Sequence, residues 1–284
     1  MRNLTIRQLL SNLTDTLKPA CGEGEASSVA RIVAEDAFHL KGNAGREISD
    51  EEYARYLGIR NRLLAGEPVQ YVLGQADFYG LKFAVSPATL IPRQETEELV
   101  AWVLETSGQQ NLAVLDIGLG TGCIAITLKK KRPFWTVYGM EVSPEALTVA
   151  QKNASTLVHG DVHFFQADIL KKQDWQNLPA PDIVISNPPY IPAAERALVP
   201  PHVFNHEPHL ALFVTDEDPL LFYREIACMS REKLKPGGWL YFECNEFNAG
   251  EVAEMLVSEG FSLVESRKDI CGADRMVRAM KTDL

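Results

Sequence analysis

The sequence predicts an α/β protein in which a doubly wound, mostly parallel sheet follows a small bundle of helices. Two observations carry this prediction. After residue 93, short apolar segments typical of strands alternate with segments of helical periodicity, and such alternation produces parallel sheets with helices on both faces. Before residue 70, apolar residues recur at helical spacing only.

Three helices are predicted in the first 70 residues, which we expect to form a domain that recognises or orients a partner. Thr5 followed by Gln8 predicts a capping box at the start of the first helix. The second helix covers residues 25–40, and the third starts at Ser49 with Glu52 as its reciprocal cap. The apolar positions of the first helix are Ile6, Leu9, Leu10, Leu13 and Leu17.

A β-hairpin linker over residues 71–92 is predicted between this domain (1–70) and a larger one (93–284). Residues 71–73 and 78–85 have the composition of short strands. They are separated from the helices and from each other by Gly66, Pro68, Gly74 and Gly80. The strands predicted for the larger domain are 112–117, 136–141, 162–166, 182–186, 239–243, 261–264 and 276–280. Ser143 and Pro144 predict the cap and first turn of a helix.

Composition excludes several classes of protein. The net charge is −10, whereas a protein that grips duplex DNA gains much of its affinity from Lys and Arg. The basic run 129–132 is expected to close a helix and face water. Five scattered cysteines without a Cys-x-x-Cys pair indicate reduced thiols. No apolar run has transmembrane length, so we expect a cytoplasmic protein.

A glycine-rich loop follows the first strand of the larger domain. It reads Gly118-Leu119-Gly120-Thr121-Gly122, with Asp116 two residues before it and Glu141 at the end of the next strand. Glycines let the backbone approach a ligand closely, and Glu141 can bind both ribose hydroxyls of an adenosine. The spacing Gly-x-Gly-x-Gly differs from the dinucleotide fingerprint Gly-x-Gly-x-x-Gly. Asp116 suits a cationic ligand, so the loop favours S-adenosylmethionine over a dinucleotide.

A second acid follows a later strand. Asp168 could accept a hydrogen bond from an adenine amino group, with Ile169 packed against the base. An aspartate that caps a helix explains Asp168 nearly as well, and the sequence alone leaves both interpretations open.

The segment Asn187-Pro188-Pro189-Tyr190 follows the fourth strand of the larger domain. Two prolines remove two backbone donors, so Asn187 Oδ1 and the Pro188 carbonyl could both accept from one planar NH₂ group. Tyr190 could stack on that group. Two acceptors make a weakly nucleophilic nitrogen more electron-rich as positive charge develops on it. Adenine N6, cytosine N4 and the glutamine amide all present such a group, and the tetrapeptide does not choose between them.

Taken over its whole length, the chain resembles the release-factor glutamine-N5 methyltransferase family. The segments that carry the resemblance occur in the family's order. They are Gly66-x-Pro68-x-x-Tyr71-x-x-Gly74, Phe78-Tyr79-Gly80, Leu90-Ile91-Pro92-Arg93-Gln94-Glu95-Thr96-Glu97, the glycine loop, Asn187–Tyr190 (187–190), Glu207-Pro208 and Gly272-x-Asp274-Arg275. Two positions depart from the family. The acid at the end of the second strand is usually Asp and is Glu141 here, and residues 243–246 lack the usual glycine and glutamine.

The resemblance implies a Rossmann-like methyltransferase domain that acts on the glutamine of a Gly-Gly-Gln loop in peptide chain release factors. Residues 118–122, Glu141, Asp168, Ile169 and Asn187 would bind S-adenosylmethionine, which leaves as S-adenosylhomocysteine. The catalytic residues would be Asn187, Pro188 and Tyr190, and these three together with Pro189 would bind the substrate. The N-terminal helices would contact the release factor. We expect a monomer without metal, membrane or direct nucleic-acid binding; the alternative activity is that of an adenine-N6 DNA methyltransferase.

Three histidines, His202, His206 and His209, cluster around Glu207. Their spacing fits no tetrahedral metal motif well. We therefore expect a surface loop that folds over the substrate.

Overall fold

The protein is described by a computed structural model over residues 5–40, 45–108 and 110–282, and it divides into two compact units. The first unit contains the described residues up to Gln75 together with Pro201–His206. The second contains Ala76–Pro200 and the described residues from Glu207 onward. The extreme ends of the predicted domains, residues 1–4 and 283–284, lie outside the described residues, as do residues 41–44 and Gln109.

The first unit is helical, as predicted. It contains α1 (Ile6–Phe38), α2 (Asp50–Leu64) and α3 (Val69–Leu73). Both predicted capping boxes are confirmed, at the starts of α1 and α2. The first two predicted helices both lie within α1, on either side of a kink at Gly22, where φ is 82° and ψ is 168°.

The prediction of a strand at residues 71–73 is wrong, because these residues belong to α3. Pro68 precedes the helix with φ at −55°, and Gly74 ends it in the left-handed conformation. The Arg62 guanidinium donates to the carbonyl oxygens of Tyr71 and Val72 in the last turn of α3, where the regular helical pattern of hydrogen bonds ends. These contacts favour a short helix over a strand.

A two-stranded hairpin begins the second unit. Its strands are β1 (Gln75–Phe78) and β2 (Leu81–Ala84). The two residues between them, Tyr79 and Gly80, have φ of 51° and 76°, as a type I′ turn requires.

A seven-stranded sheet with the order β10-β11-β9-β6-β3-β4-β5 forms the centre of the second unit. The pairs that involve β3, β4, β5, β6 and β9 with one another are parallel, whereas β11 runs antiparallel to β9 and β10. The predicted α/β fold class is therefore confirmed. In chain order the strands after the hairpin are β3 (Ala113–Ile117), β4 (Thr136–Glu141), β5 (His163–Gln166), β6 (Ile183–Ser186), β7 (Ile191–Pro192), β8 (Phe213–Val214), β9 (Trp239–Glu243), β10 (Phe261–Lys268) and β11 (Asp274–Lys281); β7 and β8 pair separately.

Helices cover both faces of this sheet. Successive side chains of a strand point to opposite faces, so the apolar strands present apolar side chains on both. Val114 and Ile185 belong to one apolar cluster, and Leu115 and Val184 to the other. The helices of the second unit are α4 (Gln94–Thr106), α5 (Cys123–Lys131), α6 (Pro144–Val158), α7 (Lys172–Trp175), α9 (His209–Leu212), α10 (Leu221–Lys233) and α11 (Ala249–Ser258), whereas α8 (Pro201–His206) belongs to the first unit. No helix in the described ranges has both the length and the apolar character needed to cross a membrane.

Two smaller predictions need correction. The histidine segment is not an irregular loop, because His202 and His206 lie in α8 and His209 begins α9. The basic run does close α5, yet Lys129 does not face water. Its ammonium donates to the carbonyl oxygens of Pro133 and Trp135 at 2.9 Å each.

We predict that Gly139→Ala destabilises the protein by about 1–3 kcal/mol, as overpacking of a core does. A Cβ at this position on β4 would lie 2.6 Å from Leu119 Cδ1 and 2.9 Å from Phe164 Cδ1. Urea unfolding followed by tryptophan fluorescence measures the change. The matched control is Gly250→Ala on α11, where a Cβ meets nothing within 4 Å and the expected change is neutral or stabilising. Equal stability of the two variants would contradict the prediction.

Candidate active site

A cavity of about 370 Å³ lies at the carboxyl edge of the parallel strands β3, β4 and β6, where ligands bind in doubly wound sheets. The strand ends are joined by two kinds of contact. The Ser186 hydroxyl donates to the Ile117 carbonyl at 2.7 Å. The N–H groups of Gly118 and Leu119 donate to the Met140 carbonyl at 3.0 and 3.1 Å. The loops that leave the three strands therefore start from fixed positions.

The glycine loop lines this cavity through residues 118–121. Gly118, Gly120 and Gly122 all have positive φ, from 54° to 79°, which only glycine adopts without strain. Gly122 does not line the cavity; it precedes α5, and a Cβ on it would lie 2.8 Å from Ile126 Cδ1. Its role here is to let the loop turn tightly into the helix.

The loop is also held from behind by Asn153, a residue of α6 that is 3% exposed. Its Nδ2 donates to the carbonyl oxygens of Thr121 and Ala84, both at 2.9 Å. Its Oδ1 accepts from the Ala84 N–H at 2.7 Å. One amide thus links the loop to the end of β2.

Glu141 lies on the cavity wall at the end of β4 and is 8% exposed. Its Oε2 accepts from the Gly120 N–H at 2.8 Å, and its Oε1 accepts from the Ser143 N–H at 3.0 Å. Each carboxylate oxygen has a second lone pair left. The side chain can therefore accept from two further donors, such as two vicinal hydroxyls, while it keeps both backbone hydrogen bonds.

Asp116 lies behind the loop, is fully buried and does not line the cavity. Its Oδ2 accepts from the Ala125 N–H in the first turn of α5 at 3.1 Å, and its Oδ1 is buried without a hydrogen-bond partner. The pKa of Asp116 is raised to about 8, mainly by burial; the Ala125 hydrogen bond opposes the rise, and the nearby Glu141 carboxylate adds to it. The acid that the sequence predicts to suit a cationic ligand therefore lies behind the loop and not on the cavity wall.

Asp168 and Ile169 both line the cavity. Asp168 Oδ1 accepts from the Leu170 N–H at 3.0 Å, and its Oδ2 lies 3.2 Å from Lys171 Nζ. The residue that precedes α7 is Lys171, so Asp168 starts a turn and does not cap this helix.

The tetrapeptide 187–190 begins directly after β6, and Asn187, Pro188 and Pro189 line the cavity. Asn187 Nδ2 donates to Thr96 Oγ1 at 3.2 Å. Tyr190 does not line the cavity; it packs against one of the two apolar clusters, and burial raises its pKa. The proposed stacking of Tyr190 on a substrate stays a prediction.

Several residues that line or support the cavity belong to no local sequence motif from which their contacts could be predicted. Arg93 lines the cavity, and its Nη2 donates to Glu207 Oε1 at 2.6 Å; Glu207 Oε2 accepts from the Ile91 N–H at 3.1 Å. The Glu207 side chain is 1% exposed. Phe222 and Ile226 of α10 supply apolar wall. Arg93 and Glu207 lie in segments that the family resemblance contains, but no local pattern assigns them to one another.

Comparison with known proteins identifies the family. Residues 8–74 match the family profile described as PrmC N-terminal domain, and residues 95–204 match the one described as Methyltransferase small domain. A release factor glutamine methyltransferase from Flavobacterium psychrophilum is 39% identical over 285 residues, which covers 97% of this chain and 99% of that protein. The chain belongs to the release factor glutamine methyltransferase family.

Other relatives agree with this assignment. The release factor glutamine methyltransferase of Bacteroides thetaiotaomicron is 43% identical over 77% of each chain. Among solved structures, a methyltransferase from Pyrococcus furiosus matches 83% of this chain and 100% of its own with a TM-score of 0.53. At 18% identity that likeness shows the fold alone. The resemblance and the enzyme class predicted from the sequence are confirmed for this family member.

We predict that the stability of the protein relative to Asp116→Asn falls as pH rises from 6 to 8.5. The folded pKa of Asp116, about 8, lies above its ordinary value of 3.8. Its contribution to stability is therefore fully present below the unfolded pKa and is lost as pH rises through the folded one. The expected fall in the difference between the two unfolding free energies is about 1–3 kcal/mol. Urea unfolding at both pH values measures it, and a difference that does not change with pH would contradict the buried, protonated state.

Proposed function

We propose that this protein transfers a methyl group from S-adenosylmethionine to the side-chain amide nitrogen of the glutamine in a Gly-Gly-Gln loop of a peptide chain release factor. Membership of the family supports the substrate class. The observation that carries the proposal is the position of Asn187 and Pro188 in the same cavity as Glu141 and the glycine loop. Under this proposal, Asn187 and Pro188 are an acceptor pair for a planar amide, next to the residues that would hold the adenosine.

The residues present fit S-adenosylmethionine. Glu141 keeps one free lone pair on each oxygen for the ribose hydroxyls, and the loop at Gly118 and Gly120 leaves space where a Cβ would meet no atom within 3.8 Å. Asp168 and Ile169 supply an acceptor and an apolar surface for the base. When bound, this cosubstrate supplies an electrophilic sulfonium methyl group.

The tetrapeptide binds and orients the substrate amide. Asn187 Oδ1 and the Pro188 carbonyl accept from the two hydrogens of the glutamine NH₂ group, which increases the electron density at its nitrogen during attack. The prolines at 188 and 189 have no N–H that could compete locally. Pro208, Phe222 and Ile226 on the cavity wall exclude water from the reacting nitrogen. Alignment of the nitrogen with the methyl group contributes the proximity effect.

The first unit is the proposed recognition element for the release factor. Its helices, predicted as domain 1–70, carry no catalytic motif, and the matched N-terminal profile covers residues 8–74. We propose a cytoplasmic monomer; the five cysteines, all within the described residues, are free thiols, in agreement with a reducing compartment. The rival activity, adenine-N6 methylation of DNA, is not that of any relative named above, and the charge of −10 disfavours it.

We predict that the wild-type protein adds one methyl group to the loop glutamine of a purified bacterial release factor. Labelled S-adenosylmethionine and peptide mass spectrometry detect and locate it. Asn187→Ala should lower kcat at least about 10²-fold, because a preorganised hydrogen bond to the reacting group is lost. Asn177→Ala, at an exposed asparagine, is the matched control and should keep wild-type activity. A methyl group on duplex DNA and none on the factor would overturn the proposed substrate.

We predict that Glu141→Gln weakens binding of S-adenosylhomocysteine about 10- to 100-fold. The Gln amide has one oxygen only, so the NH₂ group that replaces the other carboxylate oxygen cannot accept from a ribose hydroxyl. That hydroxyl loses its acceptor, at a cost of about 1–3 kcal/mol. Isothermal titration calorimetry measures the Kd. Glu251→Gln, at an exposed glutamate on α11, should leave it unchanged. If Glu141→Gln binds as tightly as wild type, Glu141 does not hold the ribose.

A further inference from the structure

A chain of hydrogen bonds connects the proposed substrate-binding asparagine to a buried acid on another strand. Asn187 Nδ2 donates to Thr96 Oγ1 at 3.2 Å, and Thr96 Oγ1 donates to Glu243 Oε2 at 2.6 Å. Thr96 lies in the first turn of α4 and is 3% exposed; Glu243 ends β9 and is 1% exposed. Thr96 and Asn187 line the cavity, whereas Glu243 does not. Thr96 therefore connects the buried acid to the residue that lines the cavity.

The chemistry of the three groups gives this chain a direction. An ionised carboxylate accepts hydrogen bonds and donates none, and a hydroxyl has one hydrogen to give. The Thr96 hydrogen is given to Glu243, so Thr96 can only accept from Asn187. The Asn187 NH₂ group must therefore be the donor to Thr96. Asn187 Oδ1 lies at the other end of the amide, away from Thr96.

The direction matters because the two ends of an asparagine amide have nearly the same shape. With Oδ1 toward the substrate, Asn187 accepts from the glutamine NH₂ group. If the amide turned over, its own NH₂ would face that group, and two donors would oppose each other. The orientation of one side chain thus decides whether the site favours or repels the reacting nitrogen.

We propose that Thr96 and Glu243 are positioning residues that fix the orientation of the Asn187 amide, so that its oxygen accepts from the substrate nitrogen. This inference rests on the proposed function for the identity of that nitrogen. The orientation itself follows from these contacts and from an ionised Glu243, and it can be tested without substrate.

The free-energy cost of burying the Glu243 carboxyl supports a positioning role for it. Burial raises its pKa to about 7, opposed by the Thr96 hydrogen bond, and strongly shifted carboxyls are concentrated at functional sites. Glu243 Oε2 accepts the hydrogen bond of the Thr96 hydroxyl. At the start of α4, Arg93 makes no side-chain cap hydrogen bond, so capping of the helix does not explain the Thr96 hydroxyl. The ionisable groups around Glu243 are Glu95, Arg93, Arg275, Tyr190, Tyr223, Cys123 and Cys244. Assays at pH 8.5 keep Glu243 ionised.

The kinetic test compares three substitutions with wild type on a release factor. Thr96→Val removes the hydroxyl and should lower kcat at least about tenfold with little change in KM for S-adenosylmethionine. Thr96→Ser restores the hydroxyl and should restore kcat. Glu243→Met frees the Thr96 hydrogen to bond Asn187 Oδ1, so kcat should fall similarly. Its Tm is measured alongside, because removal of one partner of a buried hydrogen bond can lower stability; Thr96→Val and Thr96→Ser test the same contact without removal of the acid.

The matched control is Thr106→Val. Thr106 also lies on α4, and its hydroxyl bonds Tyr241 on β9 at 2.8 Å, but it does not line the cavity. This variant loses a hydroxyl from the same pair of elements and should keep wild-type kcat.

A second readout is independent of activity. In ¹⁵N-labelled protein, the side-chain NH₂ signals of Asn187, identified by their absence in Asn187→Ala, should shift in Thr96→Val and stay in place in Thr96→Ser. Wild-type kcat in Thr96→Val or Glu243→Met, or unshifted Asn187 signals in Thr96→Val, would overturn the positioning role. If wild type itself transfers no methyl group to the factor, the proposed function fails, and the Asn187 signals still show whether its amide is held by the Thr96 hydroxyl.

Discussion

The register of three parallel strands is the constraint on which the rest of the site depends. Ile117 on β3 pairs with Met140 on β4 and with Ser186 on β6. The residues that come next along each chain segment, Gly118, Glu141 and Asn187, therefore lie at one level at the carboxyl edge of the sheet. A slip of one residue in either pair would turn every side chain of a strand to the opposite face and would separate the two proposed binding groups.

Buried acids organise the edge of this sheet, and each has a different use. Glu141 is fixed by backbone N–H groups and remains able to accept more. Asp116 supports the first turn of α5 from inside the core, and Glu243 acts on a neutral side chain through a hydroxyl. Burial of a carboxyl is costly unless donors compensate it. The site therefore combines one acid that faces the cavity with two that are held behind it.

Much of the fold could be predicted because its signals are local. The strands at 136–141 and 239–243 have the bounds expected from apolar runs, and the Ser143 cap precedes α6 as expected. Residues 71–73 were mistaken for a strand because a short apolar run has no period that separates strand from helix. The contact of Thr96 with Glu243 spans 147 positions, and no sequence pattern in one chain records a pairing of that length.

The Asn153 amide has a consequence for where the chain can be cut. A fragment that began at residue 93 would contain the glycine loop and the tetrapeptide, yet it would lack Ala84, the partner in two of the three Asn153 hydrogen bonds. It would also lose Ala88 and Leu90 from the cavity wall. The hairpin therefore belongs to the smallest fragment that can fold around this site, and truncation or fusion junctions belong before β1.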